Sequence, residues 1–287
     1  VTTYSDAIGK LVMPTSEMTL LEIFERENAQ NLTDARFDMT KPTTCDYELV
    51  SLNGTDKDEF EAAIDLLTVL THVDAAVNPP RDNMPTNERL DSSTTDELKL
   101  MKIVHNNGLG LLGQEFDSEE TEDENFIGLV KSTGLTKKQI GGSGGSHGVG
   151  KNVYWQWSKY GIVLFYSSLS KDYDDKGVYC GAGTGASCAH KTRFMATCRV
   201  GVDHEVDGIR YSPNGLAGNI GTKNTKEVSV SLFDDEADAI AERLGLKVRT
   251  QDEPGVTIVI VGYRNPATIE EDEAGDSIIS RLLLSSA

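Results

Sequence analysis

MTLLEIFERENAQNLTDAR, residues 18–36, reads as one amphipathic helix. Leu20, Leu21, Phe24, Asn28 or Asn31, and Ala35 fall on related turns, and no Gly or Pro interrupts them. Within it Glu27, Asn31 and Asp34 stand at i, i+4 and i+7, so they project from one face. An acid, an amide and an acid make a poor core stripe but a good magnesium–nucleotide face. The Asn31 amide oxygen can join phosphate oxygens around an octahedral magnesium that keeps several waters. Glu27, one turn earlier, can hold and deprotonate a water aimed at a terminal phosphate. The plain alternative is a solvated polar stripe.

Two glycine-bearing stretches extend this reading. Leu98–Val104 (LKLMKIV) suits a buried strand, and it runs straight into Asn106-Asn107-Gly108-Leu109-Gly110-Leu111. Gly108 and Gly110, one residue apart, let backbone approach a flat ligand and permit positive φ. An ordinary strand-to-loop turn has the same composition. Further on, residues 141–151 read GGSGGSHGVGK and lead into an aromatic stretch with Tyr154, Trp155 and Trp157. Free amides in such a loop, with a helix N-terminus behind them, form a concave anion site, and Lys151 adds a point charge. A glycine linker is the competing reading. The loop nearly fits a P-loop, from Gly145 to Gly150-Lys151. However, Asn152 stands where that motif needs Ser or Thr, and polar residues 133–140 precede it instead of a buried strand.

The remaining elements suggest an α+β fold. Asp46–Leu52, Gly161–Ser168, Thr192–Val202, Glu227–Leu232 and Thr257–Gly262 read as strands. Glu59–Leu70, Val149–Ser158 and Asp234–Leu244 read as helices, the last capped and stopped by Gly245. A polar, proline-containing loop is expected over 78–95, and a long irregular stretch over 112–147. Strands and helices mix without strict βαβ alternation, which predicts a mixed sheet with helices on one face, a two-layer sandwich. We expect one enlarged domain over residues 1–287, or one domain plus a small appendage.

Composition narrows the function classes. The formal net charge of −19 argues against broad, sequence-independent DNA binding, although DNA is not excluded at a local basic patch. Part of the acid is clustered, over Asp117–Glu124 and Glu270–Glu273, and such runs are usually solvated. No segment has the apolar length of a membrane helix and no signal peptide is visible; four cysteines in this length do not suggest a disulfide scaffold, so a reducing cytoplasm is expected. Cys180, Cys188, His190 and Cys198 lie close in sequence but lack a C-x2-C pair, which weakens a zinc reading.

Taken in order, these stretches resemble the GHKL ATPase family (gyrase, heat-shock chaperone, histidine kinase, MutL). Residues 27–35, ENAQNLTDA, look like its E-x-x-x-N-x-x-D-A N-box, and Asn106-x-Gly108-x-Gly110 looks like its D-x-G-x-G adenine box. Gly145-Ser146-His147-Gly148-Val149-Gly150 is close to the G-x-H-G-V-G lid motif of the gyrase B subunit, and Gly255-Val256-Thr257 is similar to the Gly-Thr box. The resemblance spans about residues 20–263. The phrasing GGSHGVGK…VLFYSS also looks like bacterial members attached to antiviral defence and DNA-processing systems.

The resemblance implies a Bergerat-type fold and magnesium-dependent ATP hydrolysis. Glu27 would be the general base, Asn31 the magnesium ligand, and Asp34 a support on the nucleotide side. Gly108 and Gly110 would pass beside base and ribose. Gly145, Ser146, His147, Gly148, Val149 and Gly150 would bind the phosphates with Lys151, and Thr257 would back the adenine pocket. Residues 112–147 would be a lid whose closure creates a homodimer surface. Asn106, or His105 one residue away, stands where the family has its adenine-reading Asp, which implies weaker base recognition. Gyrase- and MutL-like members continue into a transducer, so the chain is expected to be the N-terminal part of a longer protein with an effector or partner. A nucleotide sensor without turnover is the second reading. A histidine kinase is disfavoured because only about 20 residues precede the N-box, leaving no room for a phosphoacceptor helix.

Overall fold

The computed structural model describes residues 20–77, 90–115, 125–131, 153–170 and 190–264. The chain runs α1 (Leu20–Asp34), β1 (Thr44–Asn53), α2 (Gly54–Ala63), α3 (Leu66–Val77), β2 (Glu97–Asn106), a π-helical turn (Ile127–Lys131), α4 (Val153–Gln156) and β3 (Ser158–Ser168). It continues with β4 (Thr192–Arg199), β5 (His204–Val206), β6 (Ile209–Tyr211), β7 (Asn214–Ala217), β8 (Asn219–Lys223), β9 (Lys226–Val230), β10 (Leu232–Phe233), α5 (Asp234–Arg243) and β11 (Gly255–Tyr263). This is an α+β fold.

One seven-stranded sheet organises it, in the order β1-β2-β11-β3-β4-β10, with β7 also pairing with β4. Among the described residues every pairing in it is antiparallel, which corrects the expected mixed sheet. A strand's sequence marks its burial but not its partner's direction, and β11, the last described strand, inserts between β2 and β3. The middle strands are covered on both faces: every residue of β11 is buried, and nearly every residue of β3. That explains the unbroken apolar runs GIVLFY and GVTIVIV, where a half-solvated strand would alternate. β1, at the edge, does alternate in exposure.

The two faces carry separate cores. Val163, Phe165, Met101, Ile103, Ile258 and Ile260 pack under Phe24 of α1, Tyr154, Trp155 and Trp157, with Phe126, Ile127 and Val130 of the π-helical turn. Phe24 stacks on Trp157 with ring centroids 4.3 Å apart. The intervening residues Leu100, Ile162, Leu164, Tyr166, Val259 and Val261 pack on α2, α3 and α5 through Phe60, Leu66, Leu70, Ala237 and Ala241. Helices thus flank the sheet on both sides, correcting the expected two-layer, one-face arrangement. The reason is amount: the central strands are apolar on both pleat faces, and each buried side chain of this size contributes roughly 1.5–3 kcal/mol.

Other boundaries shift for local reasons. The expected helix over 59–70 is two helices, broken where Asp65 adopts φ 49°. The described part of the 149–158 helix is the short α4, and Ser158 already belongs to β3, its hydroxyl donating to Val261 O. α5 starts after Phe233, with no side-chain cap, and ends through Gly245 at φ 66° with Leu246 N donating to Ala241 O. The 112–147 stretch is not wholly irregular, since the π-helical turn packs into the core. No helix among the described residues is long and apolar enough to cross a membrane.

Candidate functional site

Three of the stretches singled out in sequence converge at Gly108. Leu109 N donates to Ala35 O at 2.7 Å, and Gly108 bridges to Arg36, so the glycine turn closes on the end of α1. Gly108 N donates to Pro254 O, and a Cβ on Gly108 would lie 3.5 Å from Ala35 O and 3.8 Å from the Cα of Gly255. Asn107, at φ 60°, fastens the junction. Its side-chain nitrogen donates to Asp38, Lys41 and Pro42 carbonyls while its oxygen accepts from Asp38 N. Residues about 70 and 220 positions apart in sequence are thereby held at one corner of the sheet.

On α1, Glu27 is 6 % exposed and paired with Arg26 Nη2 at 2.7 Å. Asn31 is half-buried, its Nδ2 donating to the Tyr154 hydroxyl at 3.3 Å, and Asp34 is exposed. Tyr154 is the third residue after Lys151, so the chain leaving the glycine-rich stretch meets α1 at Asn31. Gly145, Ser146, His147, Gly148, Val149, Gly150 and Lys151 lie outside the described residues, as does most of the 112–147 stretch.

Asn106 and Thr257 stand elsewhere than their neighbours. Strand alternation turns His105 and Val256, a cross-strand pair, toward α1, and turns Asn106 and Thr257 to the opposite face. There Arg249 binds both, donating from Nη2 to Asn106 Oδ1 at 3.0 Å and to His105 O at 2.8 Å, and from Nη1 to Thr257 Oγ1 at 3.1 Å. Burial lowers the Arg249 pKa to about 10. The Asn106 amide nitrogen completes the set on Thr44 Oγ1 and Asp46.

Under α1 lies a buried polar network that sequence reading passed over. Asn28, fully buried, donates to Tyr47 Oη at 2.6 Å and Cys45 Sγ at 3.2 Å, and accepts from Tyr154 Oη at 2.9 Å; its Oδ1 also lies 2.8 Å from His105 Nε2. Tyr47 Oη donates to the Glu25 carboxylate. Burial raises the Glu25 pKa, and the Tyr47 hydrogen bond pulls it back in part. Burial also pushes the Cys45 thiol up to about 11, which leaves it protonated and unreactive. The one available signal was an Asn four residues after Phe24 on the apolar side of the helix.

His105 gives this network a pH dependence. Burial first, then the Arg249 charge, lowers its pKa to about 4. A depressed folded value means that the unfolded chain binds the extra proton more readily between about 6.5 and 4. Stability is therefore present above pH 6.5 and lost as pH falls toward 4. Glu25, with its raised value, acts in the opposite sense. We expect wild type to lose about 2 kcal/mol more than His105→Gln between pH 7.5 and pH 5. Urea unfolding at the two pH values measures it, and equal losses would remove the assignment.

No group of three or more His, Cys, Asp or Glu side chains able to hold a metal ion occurs among the described residues. That does not bear against a magnesium held by one amide oxygen, phosphates and waters. For zinc, Cys198 is a thiol directed at Tyr160 O, burial pushing its pKa up to about 12; Cys180 and Cys188 lie outside the described residues. Comparison with protein-family models, curated proteins and solved structures finds no match to this chain.

Proposed function

We propose that this chain binds ATP with magnesium in a Bergerat-type site of the GHKL kind and hydrolyses it, the α1 face carrying the chemistry. The observation that supports it most is the convergence at Gly108 of the end of α1, the Asn106–Gly110 turn and the start of β11. These are three of the four stretches that resemble the family's boxes, and the fourth leads directly to Tyr154 on Asn31.

In this reading Glu27 takes the proton of a water as it attacks the terminal phosphorus. The new O–P bond forms as the bond to the leaving diphosphate oxygen breaks. Low exposure and the Arg26 contact restrict the Glu27 side chain, as a base that must be aimed requires. The Asn31 oxygen is the protein's magnesium ligand, and the ion neutralises phosphate charge when bound. Asp34 supports the nucleotide side. Gly108 and Gly110, closed on Ala35, Gly255 and Ser168, set the course of the turn that would border base and ribose, whereas Asn106 and Thr257 act from behind the sheet through Arg249. Residues 145–151 supply phosphate-binding amides and the Lys151 charge. Closure of the 112–147 stretch would exclude water and create a homodimer face, coupling turnover to an effector or partner in the cytoplasm, in a defence or DNA-processing role.

Single-turnover phosphate release tests this. Glu27→Ala is expected to slow release by about 10²–10⁴-fold while nucleotide binding stays. Asn106, amide in place of carboxylate and already engaged with Arg249, favours the second reading, a sensor that binds without turnover. Release from neither protein, with binding intact, would select the sensor. Absence of nucleotide binding would end both.

A further inference from the structure

We propose that Tyr154 and Asn28 are positioning residues that fix which way the Asn31 amide points, turning its oxygen outward to the cation. This deepens the ATP–magnesium reading and rests on it.

The argument follows the protons along a chain of hydrogen bonds. Glu25, as a carboxylate, only accepts, so the single hydroxyl proton of Tyr47 is committed to it. Tyr47 oxygen can then only accept from Asn28, which sets the Asn28 nitrogen toward Tyr47 and Cys45. Asn28 oxygen consequently faces His105 and Tyr154. Held neutral by burial, His105 satisfies its side of that contact as the Nε2–H tautomer.

Tyr154 must therefore give its one proton to Asn28, because otherwise two oxygens would face each other at 2.9 Å with no proton between them. With its proton spent, Tyr154 can only accept from Asn31, and Nδ2 lies 3.3 Å from its oxygen. An Asn31 flipped by 180° would set two acceptors against each other. The turning of Asn31 Oδ1 away from Tyr154 is thus dictated from Glu25, through three side chains. Hydrogen-bond partners of this kind orient metal ligands, and losing one typically costs about 10–100-fold in metal affinity.

The test is calorimetric titration of a non-hydrolysable ATP analogue, in magnesium and in EDTA. In Tyr154→Phe, the tightening that magnesium gives is expected to shrink by about tenfold, with affinity in EDTA unchanged. In Asn31→Asp, either carboxylate oxygen can face the ion, so adding Tyr154→Phe should leave the magnesium effect where it was. A general structural defect would not distinguish those two backgrounds. Undiminished tightening in Tyr154→Phe, or equal losses in both backgrounds, overturns the positioning role alone. No tightening by magnesium in wild type overturns the underlying reading as well. Should Tyr154→Phe not fold, the ligand-free wild type still decides. Its Asn31 side-chain amide protons must exchange more slowly than those of exposed Asn224, and equal rates overturn the proposal.

Discussion

Arg193→Met is expected to destabilise the chain by about 3–5 kcal/mol, read as a large fall in the urea midpoint. Arg193 is fully buried and spends its donors on Ser231 Oγ, the carbonyls of Leu111 and Gly113, and Glu115 Oε1 at 2.6 Å. Its guanidinium also lies 3.5 Å from the centroid of Phe126. Methionine restores much of the volume but none of the donors, so the carbonyls lose these bonds and Glu115 keeps Lys131. Burial would raise the Glu115 pKa; Arg193, Lys131 and Ser231 together hold it below the ordinary carboxylate range, and the Arg193 part of that hold would go. Arg210→Met is the comparison: its Asp203 pair is exposed, and its loss should cost less than about 1 kcal/mol. Similar costs at the two positions would show that burial of Arg193 is not what gives it weight. Arg193 also clamps residues 111–115, the described start of the stretch proposed to close over the nucleotide.

The second large effect is expected at Gly110. Its φ of 81° is strained for any other residue, and a Cβ there would sit 2.3 Å from Ser168 O and 2.8 Å from Ser167 Oγ. Neither neighbour can yield cheaply. Ser168 O is strand backbone, and Ser167 Oγ already accepts from Leu111 N and donates to Gly255 O. We expect Gly110→Ala to cost about 4 kcal/mol or more. Gly208→Ala separates the two causes, since Gly208 has φ 77° with nothing within 4 Å of an added Cβ, leaving only a conformational cost of about 1–2 kcal/mol. If the two glycines respond alike, close approach at Gly110 is not the reason for its identity.

These glycines show how far sequence reading reached. Gly108 and Gly110 were singled out for close backbone approach; the approach exists, but to Ala35, Gly255 and Ser168, partners that a turn motif cannot name. Apolar runs disclosed β2, β3 and β11 within a few residues, because burial is written in composition. Glu227–Leu232 marked β9, but its hairpin partner β8 and the strands β5, β6 and β7 lie in the glycine- and asparagine-rich connection, where exposed short strands carry no apolar period. The single helix over 59–70 failed at Asp65, a polar residue tolerating positive φ, which leaves almost no trace in periodicity.

Local order was thus settled by the chain itself: the stripe of Glu27, Asn31 and Asp34 on one helix, and the glycine turn after a buried strand. Spacing along a helix or strand fixes which side chains share a face, and that is a short-range property. Tertiary structure decided the rest. It made the sheet antiparallel and covered both its faces, turned His105 toward α1 and Asn106 away from it, and recruited Asn28, Tyr47 and Tyr154 into one hydrogen-bonded line. Those outcomes depend on which distant strand pairs in which register, and a shift of one residue would exchange the two faces.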